Sequence, residues 1–271
     1  MSRLDMHIHT TKSDGILTPE QVVVWSNKIG LKGIAITDHD TVDGIEEGIA
    51  TAKSIKDFIL IPGIEFSSIY NNHEIHILGY FIDYTNSKLV SITDKIKEYR
   101  ANRANKTIEA LKELNIEIDI KDVNPGGKKK SIGRPHIARA LIEKGYVENV
   151  QEAFEKYLSK GRPAYISRYK LSLMDSIKII KASKGIPVLA HPGLLDKSVN
   201  VLEILDLGLE GIEVYHTDHS KEDSLKYFAL AKQRDLLITG GSDYHYTFEG
   251  NIPCIGKTTI PFEFIKKHLN F

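Results

Sequence analysis

Cysteine is almost absent: Cys254 is the single thiol in 271 residues. One thiol excludes an internal disulfide, and such sparing use fits a reducing compartment, so a cytoplasmic protein is expected. Net charge is also missing, because 36 Lys and Arg balance 36 Asp and Glu. A neutral chain is not a general magnet for nucleic acid, and any attraction for anions has to be local. No apolar run approaches the roughly 18 residues that a membrane helix needs, and the N-terminus carries no signal-peptide pattern. No membrane partner is expected. Internal repeats of fixed period and low-complexity segments are absent as well. What remains, at 41% hydrophobic and 27% charged residues, is a globular chain with enough length for one large barrel-type domain or two smaller ones.

Histidine, by contrast, is plentiful at eleven residues, and its placement matters more than its number. The chain opens on Asp5-Met6-His7-Ile8-His9-Thr10, followed by Ser13-Asp14-Gly15. On a regular strand His7 and His9 point one way, and Met6 and Ile8 the other. Two imidazoles about 6–7 Å apart on one face, with a carboxylate five residues on, can grip one ion or a pair. A lone His-x-His is more often an ordinary strand end, so the rest of the chain decides the matter.

Thr18-Pro19-Glu20-Gln21 is a helix start, with Thr18 as cap, Pro19 at the first helical position and Gln21 completing a capping box. Gly33–Thr37 reads as a buried strand ending in Asp38-His39-Asp40. A helix is expected over 43–56. The run Phe58–Ile64 leads straight into Glu65, and a strand over 75–81 contains His76. After the middle of the chain, Ile186–Ala190 ends in His191-Pro192-Gly193, a strand spans 211–215, and Leu236–Thr239 ends in Gly240-Gly241-Ser242-Asp243-Tyr244-His245. A last strand near 255–260 and a helix near 262–269 close the chain.

Strand and helix alternating about seven times predict a parallel α/β fold. A closed barrel suits the pattern better than an open sheet, because candidate ligands follow nearly every strand instead of gathering at one switch point. Strand ends then converge on one mouth, bringing together His7, His9, Asp14, His39, Glu65, His76, His191, Asp243 and His245. A catalytic zinc uses about three protein ligands, so nine donors predict two or three divalent ions, bridged by Glu65 or Asp243. Nitrogen and oxygen donors without sulfur point to Mn, Zn or Fe. Such ions lower the pKa of a shared water and stabilise the attacking and leaving oxygens of phosphoryl transfer. Asp38 is better cast as a support for its neighbours than as a ligand.

The middle of the chain differs. From 87 to 114 the apolar residues Leu89, Ile92, Ile96, Tyr99, Ile108 and Leu111 recur at helical spacing, and two shorter helical patterns follow near 136–145 and 149–158. The division expected is therefore 1–84 as the first part of the barrel, 85–164 as a helical insertion, and 165–271 as the second part. Residues 95–144 carry 13 Lys and Arg against 7 Asp and Glu. Gly133-Arg134-Pro135-His136 and Lys160-Gly161-Arg162-Pro163 put donors at helix or loop boundaries, where Arg pairs well with phosphate oxygens. The competing account is that Arg134 and Arg162 pair with surface carboxylates and that Lys128–Lys130 is a solvated loop.

Five motifs in order (Asp-Met-His-Ile-His-Thr with Ser-Asp-Gly, Ile-Thr-Asp-His-Asp-Thr, Pro-Gly-Ile-Glu, His-Pro-Gly, and Gly-Ser-Asp-Tyr-His) resemble the PHP (polymerase and histidinol phosphatase) superfamily from end to end. The resemblance implies a distorted (β/α)7 barrel with a trinuclear metal site held by His7, His9, Asp14, His39, Glu65, His76, His191, Asp243 and His245. Asp14, Glu65, His191 and Asp243 would carry catalysis. Gly-Arg-Pro-His after a long helical insertion looks like the branch that removes the 3′-phosphate of nucleoside 3′,5′-bisphosphates or trims short RNAs from the 5′ end. In that branch Arg134 and His136 line the phosphate pocket, and Arg162 is added here as a third contact. Asp14 stands where histidinol-phosphatase-type members often have His, which weighs against histidinol phosphate. That phosphatase activity remains the second expectation, and a non-catalytic metal-binding module the third. His73 and His268 are expected at the surface, and His216 and His219 on the rim of the site. Trp25 and most tyrosines are expected in packing, with Tyr165 and Tyr244 set apart because they flank site segments.

Overall fold

In the computed structural model, residues 2–127, 132–167 and 169–269 are described. The Lys128–Lys130 run lies outside them. The chain divides into two compact units, Met1–Thr93 with Lys170–Phe271, and Asp94–Tyr169.

In the first unit the strands are β1 (Arg3–Ile8), β2 (Gly33–Ile36), β3 (Ile59–Tyr70), β4 (His73–Tyr80), β5 (Leu171–Ser172), β6 (Ile186–Leu189), β7 (Gly211–His216), β8 (Leu237–Gly241), β9 (Phe248–Glu249), β10 (Ile252–Pro253) and β11 (Ile260–Pro261). The main sheet runs β11-β1-β2-β3-β4-β6-β7-β8, with β5 paired to β3. Residues just beyond β8 bring its end back to the start. Ile8 bridges Tyr244, and His9 N donates to Tyr244 O at 2.9 Å. Seven longer strands thus form a nearly closed, barrel-like sheet. Helices α1 (Pro19–Lys28) and α2 (Ile45–Lys53) follow β1 and β2. The capping box at Thr18 forms as the sequence predicts, with Thr18 Oγ1 accepting from Gln21 N and Gln21 Oε1 accepting from Thr18 N.

Three expectations need correction. The first concerns β4, which is antiparallel to β3 and to β6. Asn71 and Asn72 both take positive φ, as a two-residue hairpin of this hand requires, so the chain turns back at once instead of crossing over through a helix. His73, expected at the surface, therefore starts a strand and is half-buried. His76 reaches the site from the first half of a reversed strand. The second is the regular alternation expected along β1, which holds for His7 and His9, both facing Glu65 and Asp243, but not for Met6 and Ile8. The register against β2 shifts between Asp5 and Ile8. Met6 packs with Ala35, Ile61, Leu78 and Val188, whereas Ile8 packs with Val22, Ile34 and Ile36. Third, the closing strand is only the two residues of β11, antiparallel to β1, and the expected terminal helix is a pair of 3-10 turns. His268, in the second of these turns, is half-buried and stacks on Phe81 instead of standing in solvent.

Helix α3 (Ser87–Lys112) contains the boundary between the units. The second unit continues with α4 (Ile120–Val123), α5 (Arg134–Glu143) and α6 (Val150–Ala153). Its core is its own: Ile108, Leu111, Ile116, Ile137, Leu141 and Leu158 are buried together. Back in the first unit, α7 (Leu173–Ala182), α8 (Val201–Asp206) and α9 (Lys221–Gln233) follow β5, β6 and β7. Ser172 caps α7 by accepting from Asp175 N.

Candidate metal centre

The loops leaving the strands are pinned before any ligand is considered. Asp38, buried at the exit of β2, accepts from Thr10 N and Thr10 Oγ1 at 2.7 Å each and from Ser13 Oγ at 2.6 Å. That fixes the segment between His9 and Asp14. Asp40 N donates to Glu65 O, Glu65 N donates to Asp38 O, and His39 bridges Glu65, so the exits of β2 and β3 hold each other. Asp5 accepts from His7 N, Ser242 N and Gly256 N, which joins β1 to the segment after β8. Glycine is needed at 241 because a Cβ there would overlap the backbone nitrogen of His7. His191 and Asp243 both take positive φ. For residues other than glycine this is a strained backbone, typical of functional turns.

Eight of the nine expected donors fall into three overlapping groups, each with its ligand atoms within 4.8 Å of one another. One holds His7, His9, Glu65 and Asp243. A second holds His9, Asp14, His39 and His245. The third holds His39, Glu65 and His76. Glu65 is central and fully buried. Its Oε1 lies 3.0 Å from His76 Nδ1 and 3.1 Å from His191 Nε2, while Oε2 lies 3.1 Å from His39 Nδ1, 3.4 Å from His7 Nε2 and 3.3 Å from His9 Nε2. Asp243 Oδ1 is 3.2 Å from His7 Nε2 and 3.1 Å from His9 Nε2. His191 thus joins the cluster through Glu65 without belonging to one of the three groups. Asp14, 3.4 Å from His245 Nε2, is the most open member at 52% exposure.

The donor set fits metal ions on a specific observation. His7 Nε2, His9 Nε2 and Asp243 Oδ1 are buried and close together, yet none makes a hydrogen bond. Atoms aimed at one point instead of at one another are what a cation between them requires. Charge agrees. Burial opposes ionisation of Glu65 and Asp243, but the surrounding imidazoles outweigh it and hold both carboxyls well below their usual range. Burial likewise disfavours the charged ring of His9 and His76. Their carboxylate neighbours reverse this and lift each to about 10. His39 and His245 go the other way: burial is the largest cause that holds His39 down at about 3 and His245 below its ordinary value.

Two further residues support the cluster from beside it. Glu213, on β7, is fully buried and pairs with His7 Nδ1 at 3.0 Å. Its signal in the sequence was an acid set inside the apolar run Ile212-Glu213-Val214. His216, expected on the rim, is buried beneath the site, with Nε2 3.2 Å from Asp243 Oδ2. His219 lies farther out, donating from Nδ1 to Val214 O and accepting Gly193 N–H at Nε2. Tyr244 is buried in packing instead of offering an open ring.

In the second unit, Arg134 opens α5. Its Nη1 donates to Leu158 O at 3.0 Å, and the guanidinium lies over the rings of Phe154 and Tyr165. A backbone carbonyl and two aromatic faces thus contribute to holding the fork. His136 Nδ1 accepts from Gly133 N–H, so the neutral ring carries its proton on Nε2. Arg162 is exposed, in the turn where its backbone N–H donates to Ser159 O.

A family model described as the PHP domain matches residues 5–164. The chain is 34% identical over 260 residues to a 3′,5′-nucleoside bisphosphate phosphatase of Chromobacterium violaceum, covering 92% of this chain and 90% of that protein. It is also 34% identical over 250 residues to the 5′-3′ exoribonuclease Rnm of Escherichia coli, covering 89% and 84%. A solved structure assigned as a metal-dependent phosphoesterase from Bifidobacterium adolescentis matches with a TM-score of 0.82 at 30% identity, covering 97% of this chain and 94% of that one.

Proposed function

The chain belongs to the PHP-domain family and is a metal-dependent phosphoric ester hydrolase; on that premise we propose that it releases phosphate from nucleoside 3′,5′-bisphosphates or trims the 5′ ends of short RNAs. The observation that carries this reading is the sharing of one buried carboxylate, Glu65, by donors from β1, β2, β4 and β6, in a chain similar along nearly its whole length to proteins of those two activities.

We assign His7, His9, Asp14, His39, Glu65, His76, His191, Asp243 and His245 to two or three divalent ions, Mn, Zn or Fe. Bound there, such ions supply a water of lowered pKa and neutralise phosphate charge. The chain does the rest. Glu65 and Asp243 provide the negative charge that draws cations into the cluster. Asp38 and Asp5 hold the loops that carry the donors. Half-exposed Asp14 marks the open side, where substrate enters. Residues 94–169 are read as the helical unit that selects substrate. There Arg134, its fork held by Leu158 O and two rings, is assigned to the phosphate, with His136 Nε2–H and Arg162 as further donors. No helix among the described residues is long and apolar enough to cross a membrane, and we place the protein in the cytoplasm.

The test is phosphate release from adenosine 3′,5′-bisphosphate, a short 5′-phosphorylated RNA and histidinol phosphate, each assayed in Mn2+, Zn2+ and Fe2+. Turnover of either nucleotide substrate, lost on chelation and in Glu65→Gln, is expected. Activity that survives metal stripping, or histidinol phosphate as the preferred substrate, would overturn the assignment.

A further inference from the structure

We propose that Glu213 is a positioning residue that sets the metal-binding form of His7, an inference that rests on the metal-site reading above. β7 contributes none of the nine ligands. Its pairing with β8 shifts register between Glu213 and Tyr215. The carboxylate of Glu213 is fully buried and divides its two oxygens between different strands. Oε1 meets His7 Nδ1 at 3.0 Å, and Oε2 accepts the backbone N–H of His191 at 2.8 Å.

An ionised carboxylate can only accept. Opposite Oε1, Nδ1 of His7 must therefore carry a proton, which leaves the lone pair of the neutral ring on Nε2. That is the atom facing Glu65 Oε2 and Asp243 Oδ1, buried and without a hydrogen bond. One tautomer presents a donor pair to a cation, and the other would present an N–H. A carboxylate behind a ligating imidazole fixes both ring orientation and basicity. Glu213 also holds His191 N, at a residue whose φ of 25° is strained, so the same side chain fixes the turn after β6. Neither contact is an expected consequence of packing alone, since an apolar residue would fill the same space.

Glutamine separates these roles because it matches glutamate in shape but has only one accepting oxygen. If that oxygen faces His7, the amide group opposes the N–H of His191. If it faces His191, the amide donates to His7 Nδ1 and drives the proton onto Nε2, where it blocks coordination.

The experiment titrates Zn2+ into the chelator-stripped full chain against a chromophoric competitor, comparing wild type, Glu213→Gln and His7→Gln. His7 belongs to only one of the three donor groups. Glu213→Gln is therefore expected to weaken one class of Zn2+ site about 10- to 100-fold, the same class that His7→Gln removes, and to weaken the other classes less, with some loss of stability in the stripped protein where the buried amide meets the N–H of His191. Unchanged Zn2+ affinity in Glu213→Gln overturns the proposal, as does equal weakening of every class. Should the glutamine variant fail to fold, Glu213→Asp, which keeps the charge but draws it back by one methylene, is read in the same way. Wild type that binds no Zn2+ would sink the metal-site reading itself, whereas wild-type binding with an indifferent Glu213 sinks only this one.

Discussion

His216 Nε2 lies 3.2 Å from Asp243 Oδ2, and the backbone N–H of Asp218 donates to the other ring nitrogen, Nδ1. With Nδ1 committed as an acceptor, the neutral ring carries its proton on Nε2 and donates it to the carboxylate. Asp243 is thereby turned so that Oδ1 faces His7 and His9. His216→Ala is expected to lower metal affinity about 10- to 100-fold without removing a ligand. Phosphate release should then need more metal for half-maximal rate yet recover at metal excess. A variant that needs no more metal than wild type would count against this role for His216.

Much of the candidate site can be read from sequence because the candidate donors end apolar runs. His39 follows Gly33–Thr37, Glu65 follows Phe58–Ile64, and His191 follows Ile186–Ala190, and a parallel barrel gathers such ends. The reversal at Asn71-Asn72 is local and was visible as a polar turn, but its effect on strand direction was not. Nor could the register shift in β1 be seen, since it depends on the pairing partner and not on the run Leu4–Ile8 itself. His216 was misplaced for a related reason: side-chain direction beside the irregularity in β7 does not follow simple alternation. Glu213 is hard to find in the sequence because supporting residues lack spacing rules; only its charge within an apolar strand marks it.

Asp38 should matter to folding whether or not metal is bound. Its oxygens accept from Thr10 N, Thr10 Oγ1 and Ser13 Oγ. Asp38→Asn removes the charge behind these bonds and puts an amide N–H2 opposite a hydroxyl such as Thr10 Oγ1, which must then turn from donor to acceptor although it already accepts Lys12 N–H. The expected loss is about 1–3 kcal/mol, seen in chemical denaturation of the metal-stripped protein and again in the loaded one. Stability equal to wild type in both states would mean that the loop from Thr10 to Ser13 is held by other contacts.

Arg134 should act on substrate affinity. Its guanidinium is fixed by Leu158 O and by the faces of Phe154 and Tyr165. Lysine keeps the charge but loses the planar fork that matches phosphate oxygens and stacks on rings. For Arg134→Lys at saturating metal, KM for adenosine 3′,5′-bisphosphate is expected to rise about tenfold, equivalent to about 1.4 kcal/mol, with kcat nearly unchanged. Steady-state kinetics decide it. A fall in kcat at constant KM would move Arg134 from binding to the chemical step.

His219 gives a pH dependence that can be separated from the metal cluster. Burial is the main cause that holds its ring below the ordinary value of 6.5, and the hydrogen bonds explain the form it prefers: Nδ1–H donates to Val214 O while Nε2 accepts from Gly193 N–H. Protonation at Nε2 would break the second contact. Because the folded pKa is depressed below the unfolded one, the stabilisation is fully present above about pH 6.5 and is lost as pH falls through the folded value. Its slope cannot exceed about 1.4 kcal/mol per pH unit for one proton. Glutamine at 219 offers an oxygen to Gly193 N–H but does not titrate. Wild type should therefore lose stability relative to His219→Gln between pH 7 and pH 5, when both are unfolded in denaturant without metal. A difference between the two that stays constant across that range would show that the ring does not change its proton on unfolding.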